Sequence, residues 1–527
     1  MKKDKLESAS KIETANCADA QCKAQAASPK AFARGSKTKV AMWGVGVASF
    51  ALVVGLVACA PSATTGKIEA APSPNAAAKH ATPEADEFGV VTAESWKDIY
   101  PNEYASYMDN ASNSPDSGKK NYLETYPALN TMYKGYAFAL GYDQAAGHLY
   151  TLESVKETPR TQQKEQLANC ITCKTPQFTA LVNSEGDGVY AEKFNDMIGQ
   201  FDEPVSCYNC HENDPKSNTV ASKFFFDSLG ADADSIPKDA QVCGQCHNEY
   251  YFNGQTKVPA NPYSGREQMT PDAILAYYDS MGFADWKYPG TDTPMIKVQH
   301  PEFETNYGGG GSYMTNLGYT CADCHMGKAT AEDGTVYVSH KWTSPLENED
   351  LLANDCSKCH SDLKAEVAEI QAHQEERVQA ISKKIEQLAN TMTDQVAAGT
   401  LVGDKLAQCQ KLHRNAQFYW DFVMVENGDG AHNSKLSDET LDKSEKAVDE
   451  ALALLAERGA RKANPPSLER PRIISRPFSH LMRVWVRSLH KNARRTSALA
   501  AVGVGSVIFQ GTTPARGDAR LLESVRV

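Results

Sequence analysis

Ten of the 14 cysteines in this chain fall into five Cys-x-x-Cys pairs. Four pairs are followed directly by histidine: Cys207, Cys210 and His211; Cys243, Cys246 and His247; Cys321, Cys324 and His325; Cys356, Cys359 and His360. Two thiols at this spacing can bond both vinyl groups of one porphyrin, and the next residue then reaches the iron. The pattern reads as c-type haem attachment. Zinc knuckles use similar pairs, but four copies between Cys207 and His360 favour haem.

The fifth pair differs. Cys170 and Cys173 are followed by Lys174. Such a pair could form a disulfide, but it sits just ahead of four haem motifs and keeps their form. A lysine that ligates iron must be neutral, so burial and the metal must lower its pKa. An amine is a strong σ-donor without the π-system of imidazole. Axial ligand identity is one of the protein's main controls on haem chemistry. One unusual ligand among five suggests a haem that does more than relay electrons, with an open distal face for substrate.

The rest of the chain must position these motifs. Its 527 residues suffice for one large domain or two to three ordinary ones. The net charge of −12 argues against a nucleic-acid partner. Haem attachment of this kind happens outside the cytoplasm, and the N-terminus agrees. A basic stretch, 34–39, precedes an apolar run from Val40 to Cys59 that ends in Leu56, Val57, Ala58 and Cys59. Residues 1–59 therefore read as a signal segment with a lipidated cysteine, or as an uncleaved membrane anchor. Either one holds the mature protein at the outer face of the cytoplasmic membrane, in an extracytoplasmic location. Residues 60–94, rich in Ala, Pro and Ser at their start, read as a flexible linker.

The predicted fold class is mainly α with very little β. A haem core over 95–362 is expected to use short helices and loops, because porphyrins fill its interior. A long-helix bundle follows over 363–459. Leu363, Val367, Ile370, Val378, Ile381, Ile385, Leu388, Met392 and Val396 recur at steps of mostly three and four, which is one stripe of a long helix. A second helix is expected over 401–427 and a third over 437–458, capped by Ser437. The bundle either packs within the chain or forms a dimer interface; the reading favours a dimer. Cys409 reads as a buried helix residue. Residues 460–527 switch abruptly to a basic composition: no acid lies between Glu469 and Asp518, against nine Lys and Arg. That segment reads as a disordered tail or a frameshifted one, without assigned function.

One Cys-x-x-Cys-Lys motif followed by four Cys-x-x-Cys-His motifs, in this order, resembles the ammonia-forming cytochrome c nitrite reductases. The resemblance covers about Trp96 to Arg458. It implies five haem c groups, one calcium ion and six-electron reduction of nitrite on the distal side of the lysine-ligated haem. It also implies an active-site arginine, carried here to Arg160, although Arg160 stands closer to Cys170 than the family spacing. A tyrosine proton donor corresponds to Tyr250, and a histidine proton relay to His300, for which a pKa near neutrality is expected. The calcium ligands implied are the Glu249 carboxylate, the Tyr250 and Lys297 carbonyls and the Gln299 side-chain oxygen, a hard-oxygen set.

The same resemblance assigns distal ligands: His340 to the second haem, His148 to the third and His432 to the fourth. Three departures stand out. Ala146 replaces the usual arginine before Gly147 and His148, Gly327 replaces a proline, and Met314 stands where the family has the fifth haem's distal histidine. Met314 can serve as that ligand and would raise the potential; alternatively it only packs, and His413 or another residue ligates. The resemblance further implies a small quinol-oxidising multihaem membrane cytochrome as electron donor. Two other functions fit the motifs less closely: a pentahaem electron-transfer cytochrome with no substrate chemistry, and a hydroxylamine-oxidoreductase-like enzyme, which usually carries more haem motifs.

Overall fold

The computed structural model describes residues 81–115 and 120–461. The expected signal or anchor over 1–59, most of the linker and nearly all of the basic tail lie outside the described residues. The packed region begins earlier than the expected linker end at 94. Val90 and Val91 are already fully buried, and the Val91 N–H donates to Asn213 Oδ1 (3.0 Å).

Short helices and turns carry the motif region, as a chain wrapped around prosthetic groups needs. The elements used below are α1 (Thr151–Glu157), α2 (Pro159–Gln162), α3 (Cys207–His211), α4 (Lys238–Gly244), α5 (Pro271–Met281) and α6 (Cys321–His325). Two motif helices are closed by the residue before the first cysteine. The Ser206 N–H donates to Asn209 Oδ1 (3.0 Å) and the Thr320 N–H to Asp323 Oδ2 (2.8 Å), the reciprocal half of a capping box. Gly244 lets α4 lie against Phe303, whose ring a Cβ would strike. Strand content among the described residues is three two-stranded antiparallel sheets: β1 (Tyr251–Phe252) with β2 (Pro259–Ala260), β3 (Trp286–Tyr288) with β4 (Thr293–Met295), and β5 (Lys328–Thr330) with β6 (Val336–Val338).

Three long helices follow: α7 (Leu363–Ala397), α8 (Gly403–Met424) and α9 (Ser434–Arg461). Asp362 caps α7 by accepting from the Ala365 N–H (3.1 Å). Gly399, at φ +65°, ends it in the left-handed region, where Gly is the least strained residue. The third helix starts three residues earlier than predicted. Asn433, not Ser437, supplies the cap, its Oδ1 accepting from the Leu436 N–H (3.2 Å). Val378, Ile381, Ile385, Leu388 and Met392 of the predicted stripe are buried against α8 and α9, while Leu363, Val367 and Ile370 stay partly exposed. Trp420 donates Nε1–H to the Val378 carbonyl (2.8 Å).

One continuous core joins the bundle to the motif region, running from Tyr126 and Phe225 through Tyr278 and Trp286 to Trp420 and Leu455. Helix α8 is pinned to β4 and to α5 by Arg414. Its Nε donates to Asp279 (2.8 Å) and its Nη1 to the Pro294 carbonyl (2.9 Å). A second, smaller core surrounds the first motif, with Ile171, Phe178, Tyr190 and Phe201. Among the described residues, no helix is long and apolar enough to cross a membrane.

Candidate active site

The ten motif cysteines are all free of disulfides, including Cys170 and Cys173, and Cys409 is fully buried in α8. No three His, Cys, Asp or Glu side chains among the described residues converge as a zinc site requires. The motifs are instead stacked close together. The Cys173 thiol meets that of Cys246, and the Cys243 thiol meets that of Cys321. Gln245 of the third motif donates to the Asn209 carbonyl of the second (2.6 Å). Motif three therefore touches motifs one, two and four.

The structure brings three pairs of predicted ligand rings together, tilted or edge-on to one another. The ring centroids lie 6.3 Å apart for His211 and His340, 6.1 Å for His148 and His247, and 5.9 Å for His325 and His432. Two imidazole–metal bonds of about 2.0 Å, with about 1.1 Å from each nitrogen to its ring centre, require about 6.2 Å. Each separation is that of two imidazoles on one metal, and His247 meets it with His300 (6.2 Å) as well as with His148 (6.1 Å).

The outer nitrogens agree. Nδ1 lies against the Ser217 carbonyl in His211 (2.9 Å), the Val338 carbonyl in His340 (3.0 Å) and the Thr343 carbonyl in His325 (3.0 Å). Carboxylates take this part for His432 (Glu426, 2.5 Å) and His360 (Glu366, 2.7 Å). Fixing Nδ1 in this way leaves Nε2 to face a metal. The His247 side chain is 44% exposed, and its Nδ1 lies 3.8 Å from Glu302 Oε2.

The electrostatics sort the same rings. Burial, aided by the nearby charges of His247 and Lys174, pushes His148 down to about 3, and burial with His211 pushes His340 down to about 4. Neutral imidazole is the metal-binding form. Burial opposes the charged form of His432 too, but the Glu426 carboxylate overrides it and raises the ring to about 9.

Around the first motif, Lys174 is half-buried and its carbonyl accepts from Thr151 Oγ1 (2.7 Å). Arg160 sits on α2, directly after α1, and its Nε donates to Thr158 Oγ1 (3.3 Å). Burial weakens its hold on its proton, whereas Tyr142, Tyr136 and Tyr250 strengthen it. Burial also raises the Tyr250 hydroxyl well above the usual phenol range, while Arg160 pulls it down. The ring of His300 stands 6.2 Å from that of His247. Its pKa differs from the near-neutral expectation. Burial lowers it to about 4, helped by His247, Lys174 and Lys297 and opposed by Glu302. Arg160, Tyr250, Lys174 and His300 thus share one electrostatic neighbourhood at the first motif.

Of the expected calcium ligands, Glu249, Lys297 and Gln299 are linked through Gln299. Glu249 is fully buried, its carboxylate accepting from Tyr278 Oη (2.8 Å) and the Gln299 N–H (2.6 Å). Burial pushes it well above the usual carboxylate range. A buried acid of this kind calls for a cation. The Lys297 carbonyl faces the Gln299 amide, 3.0 Å from Nε2. That carbonyl accepts a hydrogen bond from the amide nitrogen, so the amide would have to turn for its oxygen to join the carbonyl and the Glu249 carboxylate around a hard divalent cation.

His413 is fully buried in α8 against the Tyr288 ring (centroids 5.3 Å), in the bundle core, and pairs with no motif histidine among the described residues. Met314 is half-buried on the short helix Tyr313–Asn316, whose Tyr313 is 76% exposed.

Sequence reasoning missed the acids behind the ligands: Glu302, Glu366, Glu426, Asp285 and Asp421. Asp421 carried a readable signal, since it stands alone in the apolar run from Phe418 to Val425.

Comparison with known proteins bears on the whole arrangement. The family described as cytochrome c552 matches residues 92–495. The chain is 34% identical over 422 residues, 69% of its own length and 78% of the relative's, to the cytochrome c nitrite reductase subunit NrfA of Nitratidesulfovibrio vulgaris Hildenborough. It is also similar to a solved cytochrome c nitrite reductase catalytic subunit (NrfA) from Desulfovibrio desulfuricans, described for its two calcium sites. That similarity has a TM-score of 0.64 at 25% identity and covers 72% of this chain and 90% of the other.

Proposed function

The chain belongs to the cytochrome c552 family, that of the cytochrome c nitrite reductases, and on that premise we propose that it reduces nitrite to ammonium with six electrons and eight protons at a haem carried by Cys170 and Cys173 and ligated by Lys174. When bound there, that haem would supply the iron at which nitrite is reduced, and four further haem c groups would supply electrons.

The chain's own residues do the rest. Arg160 holds the anionic substrate and offsets the charge on its oxygens. Tyr250 holds a proton that burial keeps on its oxygen, available for donation to the bound nitrogen oxide. His300, neutral in the resting pocket, accepts a proton at one ring nitrogen and passes it on. His211 with His340, His247 with His148, and His325 with His432 would hold three relay haems. His360 would hold the fifth, with Met314 as a second residue that could bind it. Glu249, Tyr250, Lys297 and Gln299 would hold a calcium ion, whose bonds would tie together the two segments that carry Tyr250 and His300. Accumulating electrons beside one site lets reduction run to completion without release of partly reduced nitrogen oxides.

We further propose that the protein works outside the cytoplasm, held at the membrane by its N-terminal segment and fed by a small quinol-oxidising multihaem cytochrome. A second copy docks through the long helices. The partly exposed start of the α7 stripe, at Leu363, Val367 and Ile370, supports that contact.

The observation that carries this reading is the gathering of Lys174, Arg160, Tyr250 and His300 at the motif that lacks a histidine. The test is turnover of nitrite with a reduced viologen donor, with ammonium quantified, for wild type and Lys174→His. We expect ammonium from the wild type and a loss of at least tenfold in the variant. Unchanged ammonium formation by Lys174→His would show that the amine has no special part.

A further inference from the structure

The segment Lys297–Gln299 follows β4 but pairs with no strand, so its backbone N–H groups need other acceptors. Each of three consecutive donors goes to a carboxylate from a different part of the fold. Lys297 N–H donates to Asp285 Oδ2 (2.8 Å), Val298 N–H to Asp421 Oδ2 (2.8 Å) and Gln299 N–H to Glu249 Oε2 (2.6 Å). Asp285 leads into β3, Asp421 belongs to α8 and Glu249 follows the third haem motif. Asp421 is fully buried and is itself fixed by Tyr133 Oη (2.5 Å) and by the Lys297 ammonium (3.3 Å). That ammonium folds back to donate to the Val298 carbonyl as well.

The geometry of the peptide bond gives this clamp a direction. The Val298 N–H and the Lys297 carbonyl belong to one planar trans peptide and point opposite ways. Holding the N–H on Asp421 therefore aims the Lys297 carbonyl away from α8. That carbonyl is the one expected to bind calcium, and it accepts from the Gln299 side-chain nitrogen (3.0 Å). Charge-assisted hydrogen bonds are the strong kind, so the aim is stiff.

We propose that Asp421, with Asp285, is a positioning residue of the catalytic site: from outside the pocket it orients the Lys297 carbonyl, Gln299 and His300 by gripping the backbone between them. The long-helix bundle is thereby part of the calcium site's scaffold. The inference rests on the calcium reading above.

The test uses the holoenzyme and two readouts besides activity: the Kd for Ca²⁺ by calorimetry after chelation, and hydrogen exchange in the peptide spanning 296–300. Asp421→Ala should raise the Kd at least tenfold and speed exchange at that peptide at least tenfold. Asp421→Asn, which keeps an oxygen for the Val298 N–H, should stay within threefold on both. If Asp421→Ala does not fold, the paired change Asp421→Leu with Lys297→Met removes the buried charges together and keeps the Lys297 carbonyl. The same increases are expected there. A Kd and an exchange rate matching wild type in a folded Ala or paired variant would overturn the proposal. A wild type that binds no Ca²⁺ would instead refute the calcium reading, and the exchange comparison alone would then decide the clamp.

Discussion

Replacing Glu426 by glutamine should raise the midpoint potential of one haem and leave the others nearly unmoved. Glu426 Oε1 lies 2.5 Å from His432 Nδ1 and is almost fully buried. With His432 ligating the fourth haem through Nε2, the imidazole adds about 4 Å between Nδ1 and iron at a metal bond of about 2.0 Å. The carboxylate charge then stands roughly 6.5 Å from the iron. At an effective dielectric near 20, a unit charge at that distance favours ferric over ferrous iron by about 2.6 kcal/mol. At about 59 mV per factor of ten for a one-electron couple, the carboxylate holds this haem roughly 100 mV lower than glutamine would. Glutamine keeps the size and one acceptor, so the ring should keep its place. Spectroelectrochemical titration of both proteins, with the low-spin signals followed separately, measures the shift. A set of potentials all within about 20 mV of wild type, or a downward shift, would show that Glu426 does not act on an iron through His432.

Three more outcomes follow from the same geometry. Arg160→Gln should lower kcat/KM for nitrite roughly 10- to 150-fold, the equivalent of about 1.5–3 kcal/mol for a hydrogen bond to an ion; steady-state kinetics within twofold of wild type would remove Arg160 from substrate binding. Burial holds His413 down to about 4 in the folded chain against an ordinary 6.5, so the unfolded state takes up its proton first as pH falls. Stability should therefore decline between pH 6.5 and 4 by about 3 kcal/mol from this residue alone, and a His413→Leu variant should show a shallower decline by chemical denaturation over that window. Leu388→Ala, at a fully buried position of α7, should cost about 2–5 kcal/mol; a midpoint unchanged in denaturant would mean that α7 does not share the core.

Much of the chemistry was legible along the chain, because haem attachment is local. Two thiols and a ligand within five residues specify the same group whatever surrounds them, so Cys207 to His211 could be read without a fold. The long helices were legible for a related reason: a stripe such as Val378, Ile381, Ile385, Leu388 and Met392 repeats with the helix itself. The start of α9 was not, because Asn433 and Ser437 both suit a cap and only the approach of the preceding loop chooses between them.

What tertiary structure decided is everything that depends on two distant segments meeting. His340 reaches His211 and His432 reaches His325 across stretches with no periodicity to announce them. The state of His300 also belongs to the fold. Its type suggests a pKa near neutrality, but the surrounding protein removes water and brings cations near, which drives it to about 4. The carboxylates behind the ligands were hidden for the same reason: an isolated Asp or Glu reads as a solvated side chain until the fold buries it. Asp421 acquires its meaning only when α8 sets it against the Val298 N–H, since desolvation and hydrogen-bond direction are properties of packed atoms and not of residue order.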